Sequence, residues 1–491
     1  MLTGAISRLV IAGSAGDSGK TTVSLGLLAR WRDRGLSPVA FKKGPDFIDA
    51  AWLGWASGTP GRNLDTVLMP RASMVRSFGV HAHGASVALV EGNRGLVDGL
   101  DARGTHSTAA LARLLAAPVV LVLPVTKTTA TAAAIVIGLR TMDPDVVLAG
   151  VVRNRVAGER HERICREAIE AHAGVPVLGA VPRLPSSILA DRHLGLVPPA
   201  ETGSLDELRE KLIGLTSSYM DADRVLEIAR TAAPLQWMGS EDEGAVPAAH
   251  GPLRIGVLRD SAFTFYYPEN LEALEARGAT LVPVSSIDDA GLPSLDALYI
   301  GGGFPETQAG RIAANLPFLS ALRCAAASGM PIYAECGGLI LLCRSIAWNG
   351  QKHEMAGVFP LDLDVTPRPQ GHGYASVRVD RENAFYPVGT ELQGHEFHYS
   401  RVAAGAEGAQ TAMAVTRGAG CFAGRDGLAF RNVLASYLHV HALGTPAWAD
   451  GLVRAAREHA GRRSPARAAG NDGSSKRADG NHVGAEGRPF S

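Results

Sequence analysis

The sequence predicts an α/β protein made of two doubly wound, mostly parallel-sheet domains, and three observations predict it. Between residue 8 and about 200, β-rich runs ("RLVIAG", "SVALVEG", "PVVLVLPV", "VVLAGVVRNR", "VPVLGAVP") alternate with alanine- and leucine-rich helical stretches such as 108–116 and 159–173, the rhythm of βαβ units. The rhythm stops at "TAAPLQWMGSEDEGAVPAAHG" and restarts at "LRIGVLRD". In both halves a strand runs directly into a glycine-rich turn, the place where open α/β sheets put their sites.

The boundaries follow from that reading. Residues 1–231 form a first domain, 232–252 a linker and 253–460 a second domain. The last stretch, 461–491, polar, glycine-rich and aperiodic, reads as a disordered tail. Within the second domain, 308–328 reads as one helix, and the part up to about 460 as strand-rich.

Composition narrows the function. The 491 residues carry 48 basic and 48 acidic side chains, so no general nucleic-acid or membrane partner is expected, and any polyanion must be held locally. The 5 cysteines are odd in number and lack paired metal-type spacing, which argues against a disulfide framework or structural zinc and for a reducing, cytoplasmic setting. No signal-like N-terminus and no apolar run of about twenty residues is present, so neither export nor a membrane span is expected. Oligomeric state is left open, a homodimer included.

The first chemical motif is "VIAGSAGDSGKTT", residues 10–22: a strand, a glycine loop with Gly16 and Gly19, then Lys20, Thr21 and Thr22 opening a helix. Such a loop cradles phosphates with backbone amides, Lys20 neutralises them, and the Thr21 hydroxyl suits Mg²⁺ beside ATP. The interval from Gly13 to Gly19 is one residue longer than the usual pattern. Glu91, at the end of "SVALVEG", is the acidic strand-end partner expected for the metal. "FKKGPDFID" adds Lys42, Lys43, Asp46 and Asp49 after an apparent strand, charge that suits both phosphate and metal.

The second motif is in "PIYAECGGL", where Cys336 ends a strand and glycines open the next helix, a turn that exposes a nucleophile and is expected to lower its thiol pKa. "DALYIGGGFPE" sets Gly301, Gly302 and Gly303 after another strand, amides suited to an oxyanion, and "LASYLHVHAL" offers His439 and His441 as bases at the end of a strand-like run. Cys336 therefore reads as an amide-cleaving nucleophile.

Taken together, "GSAGDSGKTT", "KKGPDFID", "RNLD", "VVRNRV", "ERH", "RHLGLVP", "FTFYYPENLEAL", "GGGFPE", "YAECGGL", "GHEFHYS" and "ASYLHVH" run in the order found in the cobyrinic acid a,c-diamide synthases, which the chain resembles over about residues 8–445. The longer glycine loop is similar to that of dethiobiotin synthetase-like enzymes. The resemblance implies a P-loop NTPase-like, ATP-dependent amide-forming domain followed by a class I glutamine amidotransferase domain, with glutamine and a tetrapyrrole carboxylate as substrates.

It also implies roles for individual residues. Cys336 with His439 would release ammonia while Gly302 and Gly303 hold the oxyanion, and Gly16, Gly19, Lys20, Thr21 and Thr22 would bind ATP. Asn154 and Arg155 of "VVRNRV" would lie on the adenine side, Thr21, Asp46 and Glu91 would hold Mg²⁺, and Asp49 and Asp98 would face the substrate carboxylate or ammonia. Many class I amidotransferases carry His-x-Glu; here the third position is His441, so a Cys-His dyad is expected. Where the family commonly has "EGVMGL" this chain has "EGNRGL", and "TKTTATAA" replaces a serine-glycine loop. Asn93, Arg94 and Lys127 therefore face the substrate in one of two readings: cobyrinate, or the sirohydrochlorin and sirohaem that similar members amidate. A P-loop switch ATPase is the alternative from a different class, and it leaves Cys336 without a task.

Overall fold

The computed structural model describes residues 2–184, 188–189, 191–192, 195–239 and 253–470. The first sheet has seven parallel strands in the order Arg62–Leu64, Pro38–Lys43, Val87–Gly95, Arg8–Gly13, Val119–Pro124, Leu148–Val156 and Val177–Pro182. Its strands are apolar on both faces because both are covered. Leu9 and Ile11 enter one core, Val10 and Ala12 the other, the pleat alternating them.

The second domain carries ten strands in the order Ala279–Val284, Leu253–Leu258, Ala297–Ile300, Ile332–Glu335, Val433–Ser436, Arg425–Phe430, Thr411–Arg417, Gly371–Val379, Glu391–His398 and His439–Val440. The first five are parallel and the rest antiparallel, so the doubly wound half continues into hairpins. A four-stranded sheet of Gln351–Glu354, Ser345–Trp348, Asp362–Val365 and Ser400–Ala404 flanks it.

Several boundaries differ from the sequence reading. Of the expected linker, residues 240–252 lie outside the described residues, but Leu235–Trp237 is a strand paired antiparallel with Leu2–Gly4. Buried Arg8 anchors this stretch by donating to the Ala233 carbonyl at 2.6 Å, and Trp237 is buried in the first domain's core. Of the expected tail, 471–491 lie outside the described residues, while 461–470 continue the helix Pro446–Gly470. The strand-rich reading fails from Pro446 onward because Trp448, Leu452, Val453 and Ala456 are a helical stripe buried in the second domain. The helix expected over 308–328 is two, Ala309–Ala314 and Leu316–Ala327, broken at Asn315, whose side chain caps the second, with Pro317 in its first turn.

The domains meet through specific polar contacts. Arg62 pairs with Glu269 at 3.1 Å and with Glu272 at 2.5 Å. Tyr374 donates to Asp65 at 2.8 Å, and Tyr267 to the Pro45 carbonyl at 3.2 Å. These pairs join "RNLD" and "KKGPDFID" of the first domain to "FTFYYPENLEAL" and the strand Gly371–Val379 of the second.

Candidate functional site

The phosphate loop leaves the buried strand Arg8–Gly13 and enters the helix Lys20–Asp33 through Gly19 at φ 92°. A side chain there would be strained, and its Cβ would lie 2.1 Å from Nδ2 of Asn154. Asn154 donates to the Ser18 carbonyl at 2.9 Å, and Arg155 to the Asp17 carbonyl at 2.9 Å, so "VVRNRV" braces the loop's outer edge. Lys20 Nζ points back to the Ala15 carbonyl at 3.3 Å, and burial followed by the charge of Lys42 lowers its pKa. Gly16 has open space above it.

Beside the loop lies a charge cluster. Glu91 is fully buried, and its Oε1 accepts from Thr21 at 3.0 Å and from Lys42 at 2.7 Å. Lys42 also pairs with Asp49 at 2.5 Å; burial alone would lower its pKa, but Asp49 and Glu91 outweigh that and hold it above the ordinary range. Asp46 caps the helix Phe47–Ser57, accepting from Ile48 and Asp49 at 2.8 and 2.9 Å. Although this residue opens onto the cleft, desolvation and the like charge of Asp49 push its carboxyl up to about 6.

The other oxygen of Glu91, Oε2, is buried with no hydrogen-bond partner. An orphaned carboxylate oxygen beside a threonine hydroxyl and a phosphate loop fits a divalent cation. Among the described residues no three His, Cys, Asp or Glu side chains converge as a cage, so a cation here would complete its shell with phosphate and water.

Both domains line a cavity of about 1630 Å³, more than a single drug-sized ligand fills. Gly16, Gly19, Lys20, Thr21, Thr22, Asp46, Asp49, Glu91, Asn93, Arg94, Asp98, Lys127, Asn154 and Arg155, all singled out from the sequence, line it. Arg94 and Lys127 hold positive φ of 51° and 56°. Asp98 also forms a turn, its Oδ2 accepting from Gly95 at 2.9 Å. Sequence reasoning missed Arg183, His106, His372, Tyr374 and Arg417 on the same wall, because single basic or aromatic residues on loops and hairpins carry no motif.

At the second motif Cys336 has φ 46° and ψ −98° between the strand Ile332–Glu335 and the helix Gly337–Leu342. That conformation is costly for any residue but glycine, and its presence at a candidate nucleophile marks a built turn. The expectation of a lowered thiol pKa is corrected: Cys336 is buried, and burial followed by the Glu306 charge pushes the thiol well up. The six-residue helix behind it does not offset this.

His439 does not end the strand that precedes it. Val433–Ser436 pairs with the Cys336 strand, and then Ser436 and Asp426 side chains accept the Leu438 and Tyr437 amides, breaking the ladder. The chain re-enters the sheet at His439–Val440, beside Gly394 and His395. A Cβ on Gly302 would lie 2.5 Å from Cε1 and 3.4 Å from Nε2 of His439, so this edge of the ring lies against the glycine triplet. The Gly301 amide is taken by the Tyr266 hydroxyl at 2.8 Å, whereas a Cβ on Gly337 would lie 3.0 Å from the Gly303 nitrogen. His441 faces elsewhere, 3.7 Å from Glu269, and burial lowers its pKa to about 3.

A pocket of only about 20 Å³ adjoins Cys336, room for a water and not for a glutamine side chain, so substrate entry requires it to widen. Phe265 and Phe397 wall both this pocket and the large cavity, which His439 also lines. Phe47, the first residue of the helix that Asp46 caps, reaches across the domain boundary. Its ring stacks on Phe265 at 5.2 Å and lies 5.2 Å from the His439 ring.

Two family models divide the chain as its two sheets do. Residues 9–196 match the CobQ/CobB/MinD/ParA nucleotide binding domain, and 254–447 match the CobB/CobQ-like glutamine amidotransferase domain. A cobyrinate a,c-diamide synthase of Magnetococcus marinus is 42% identical over 92% of this chain and 98% of its own length. Those of Archaeoglobus fulgidus and Methanothermobacter thermautotrophicus are 40% and 38% identical, each over 92% of this chain and 98% and 100% of their own lengths. Among the described residues no helix is long and apolar enough to cross a membrane. By identity and coverage together, the chain belongs to the cobyrinate a,c-diamide synthase family.

Proposed function

We propose that the protein uses ATP and glutamine to convert the a and c side-chain carboxylates of cobyrinate to amides. The observation that carries this reading is the shared cavity: phosphate loop, basic wall and His439 line one space of about 1630 Å³.

In the amide-forming half, Lys20 and the amides from Gly16 to Thr22 would hold the phosphates of ATP, a co-substrate. Thr21, Asp46 and Glu91 would hold Mg²⁺, which when bound neutralises phosphate charge. A carboxylate expels its oxygen poorly, whereas the acyl phosphate made from it releases phosphate once ammonia attacks. Lys42 and Lys43 would draw the acidic substrate in, and Asp49 and Asp98 would orient ammonia or the reacting carboxylate. In the other half, Cys336 and His439 would cleave the glutamine amide with Gly303, and Gly302 beside it, at the oxyanion.

A second substrate reading has its own observation. Asn93, Arg94 and Lys127, the positions that depart from the family pattern, all line the cavity, where they would meet a macrocycle's rim. Mass spectrometry of parallel incubations with Mg-ATP, glutamine and cobyrinate, sirohydrochlorin or sirohaem separates the two. Two amides gained on cobyrinate are expected; amidation of the sirohydrochlorin compounds alone would transfer the reading to them.

A further inference from the structure

We propose that Glu335, the residue immediately before Cys336, is the positioning carboxylate of the amide-cleaving site and orients His439 where the His-x-Glu pattern is missing. This rests on the reading of Cys336 and His439 as nucleophile and base.

The two histidines of "ASYLHVH" divide between two acids. His441 faces Oε2 of Glu269, whose Oε1 pairs with Arg62 across the domain boundary. His439 Nδ1 lies 3.5 Å from Glu335 Oε2, close enough for an ion pair, and it is a buried ring nitrogen that no hydrogen bond satisfies. Glu335 is 1% exposed at the end of a wholly buried strand, where an ionised carboxylate is expensive unless it serves another group. Its remaining contacts are long for a carboxylate: Tyr299 donates to Oε2 at 3.2 Å and the Val440 amide to Oε1 at 3.4 Å. Both oxygens therefore keep acceptor capacity, and the Val440 contact fixes the strand on which His439 sits.

A carboxylate at Nδ1 sets the tautomer. With Nδ1 protonated toward Glu335, Nε2 is left as an acceptor, and its edge of the ring is the one against Gly302. Nε2 then takes the Cys336 thiol proton, and Glu335 balances the imidazolium that forms. Sγ bonds to the glutamine amide carbon, the carbon–nitrogen bond breaks, and the Nε2 proton leaves with ammonia. Water, giving a proton to Nε2, next attacks the thioester; glutamate departs and Sγ regains its proton. The balance is glutamine plus water to glutamate plus ammonia.

The test is Glu335→Gln in the full-length enzyme, assayed for glutamine hydrolysis across pH, with ammonia-supplied amidation as the folding control. Expected is a fall in kcat of roughly 10²-fold or more with the glutamine KM within about twofold. The acid limb of the kcat/KM profile should move to lower pH, and Glu335→Asp should recover part of the rate. An unchanged kcat and pH profile would overturn the proposal, as would equal losses in both activities with an unchanged profile. If Glu335→Gln does not fold, nitrogen-15 spectra of histidine-labelled enzyme, assigned with His439→Gln, decide instead: protonated Nδ1 supports the proposal and protonated Nε2 overturns it. Cys336→Ala enzyme that still hydrolyses glutamine would sink the underlying site reading, whereas an inactive Cys336→Ala beside an unaffected Glu335→Gln would sink only the role of Glu335.

Discussion

At the phosphate loop the chain turns from strand to helix through Gly19 at φ 92°, whereas at the thiol it makes the same change of direction through Cys336 at φ 46°. Glycine relieves the first turn, which presents backbone and no side chain. The second carries a sulfur, and it accepts strain that glycine would avoid. Their surroundings differ as well. The loop opens onto a cavity of about 1630 Å³ and leads a 14-residue helix, and the thiol sits over about 20 Å³ at a 6-residue helix. One turn leaves its backbone open to a large cavity, and the other holds a single thiol in a small one.

The largest effects should separate these turns completely. Cys336→Ala should reduce glutamine-dependent amidation by roughly 10⁴-fold while ammonia-supplied amidation continues. Lys20→Ala should reduce amidation from either nitrogen source by roughly 10³-fold while glutamine hydrolysis persists. Steady-state assays of both variants with both nitrogen sources form the check. Loss of ammonia-supplied amidation in folded Cys336→Ala enzyme would break the division into two centres.

Acid should act mainly on the half that holds the thiol. His441 is lowered to about 3 by burial, His398 to about 4 by burial, and His395 well below its ordinary value by burial and by His439. A histidine ordinarily titrates near 6.5, so on acidification the unfolded chain takes protons that the folded chain refuses. The sign is therefore full stability above about pH 7 and progressive loss as pH falls through 6.5 toward 4. Between pH 7.5 and 5.5, three such groups together cost roughly 4 kcal/mol. Urea titrations at the two pH values measure it, and a stability rising toward pH 5.5 would contradict the neutral state assigned to these rings.

Phe47 links the two turns. It follows Asp46 in the charge cluster, and its ring lies 5.5 Å from His395 and 5.2 Å from His439. Phe47→Ala should therefore loosen the coupling of the sites, releasing roughly tenfold more glutamate per amide formed than the parent enzyme. A ratio unchanged from the parent would mean that the aromatic contact is packing alone.

Legibility in the sequence followed the range of the physics. Both turns were visible because strand, glycine and helix are local: Gly19 with Lys20, and Cys336 with Gly337, stand within a few residues of each other. The parallel strands were visible because burial on both faces makes them continuous apolar runs such as "PVVLVLP". The break before His439 was not, since it depends on Asp426, on the neighbouring strand of the hairpin, accepting the Tyr437 amide, a pairing that no periodicity announces. Nor was the direction of the thiol pKa, which burial decides over a helix end that sequence alone suggests. Leu235–Trp237 escaped for a similar reason: a three-residue edge strand has too little periodicity to register, and its partner lies at residues 2–4.

The smallest effect isolates the backbone from the chemistry. In ordinary strand and helix interiors an Ala→Gly change costs about 0.5–1 kcal/mol through backbone entropy. At position 336 the sign should invert, because φ 46° with ψ −98° strains any residue that has a Cβ. Cys336→Gly should therefore be more stable than Cys336→Ala by about 1 kcal/mol, the two sharing the loss of sulfur packing and of activity. Gly19→Ala should lose about 1–2 kcal/mol for the left-handed φ, and more where its Cβ displaces the Asn154 amide. Denaturant midpoints of the three variants and the parent decide between these signs. If Cys336→Ala proved the more stable of its pair, the turn at the thiol would be relaxed, and the contrast with the phosphate loop would rest on burial and helix length alone.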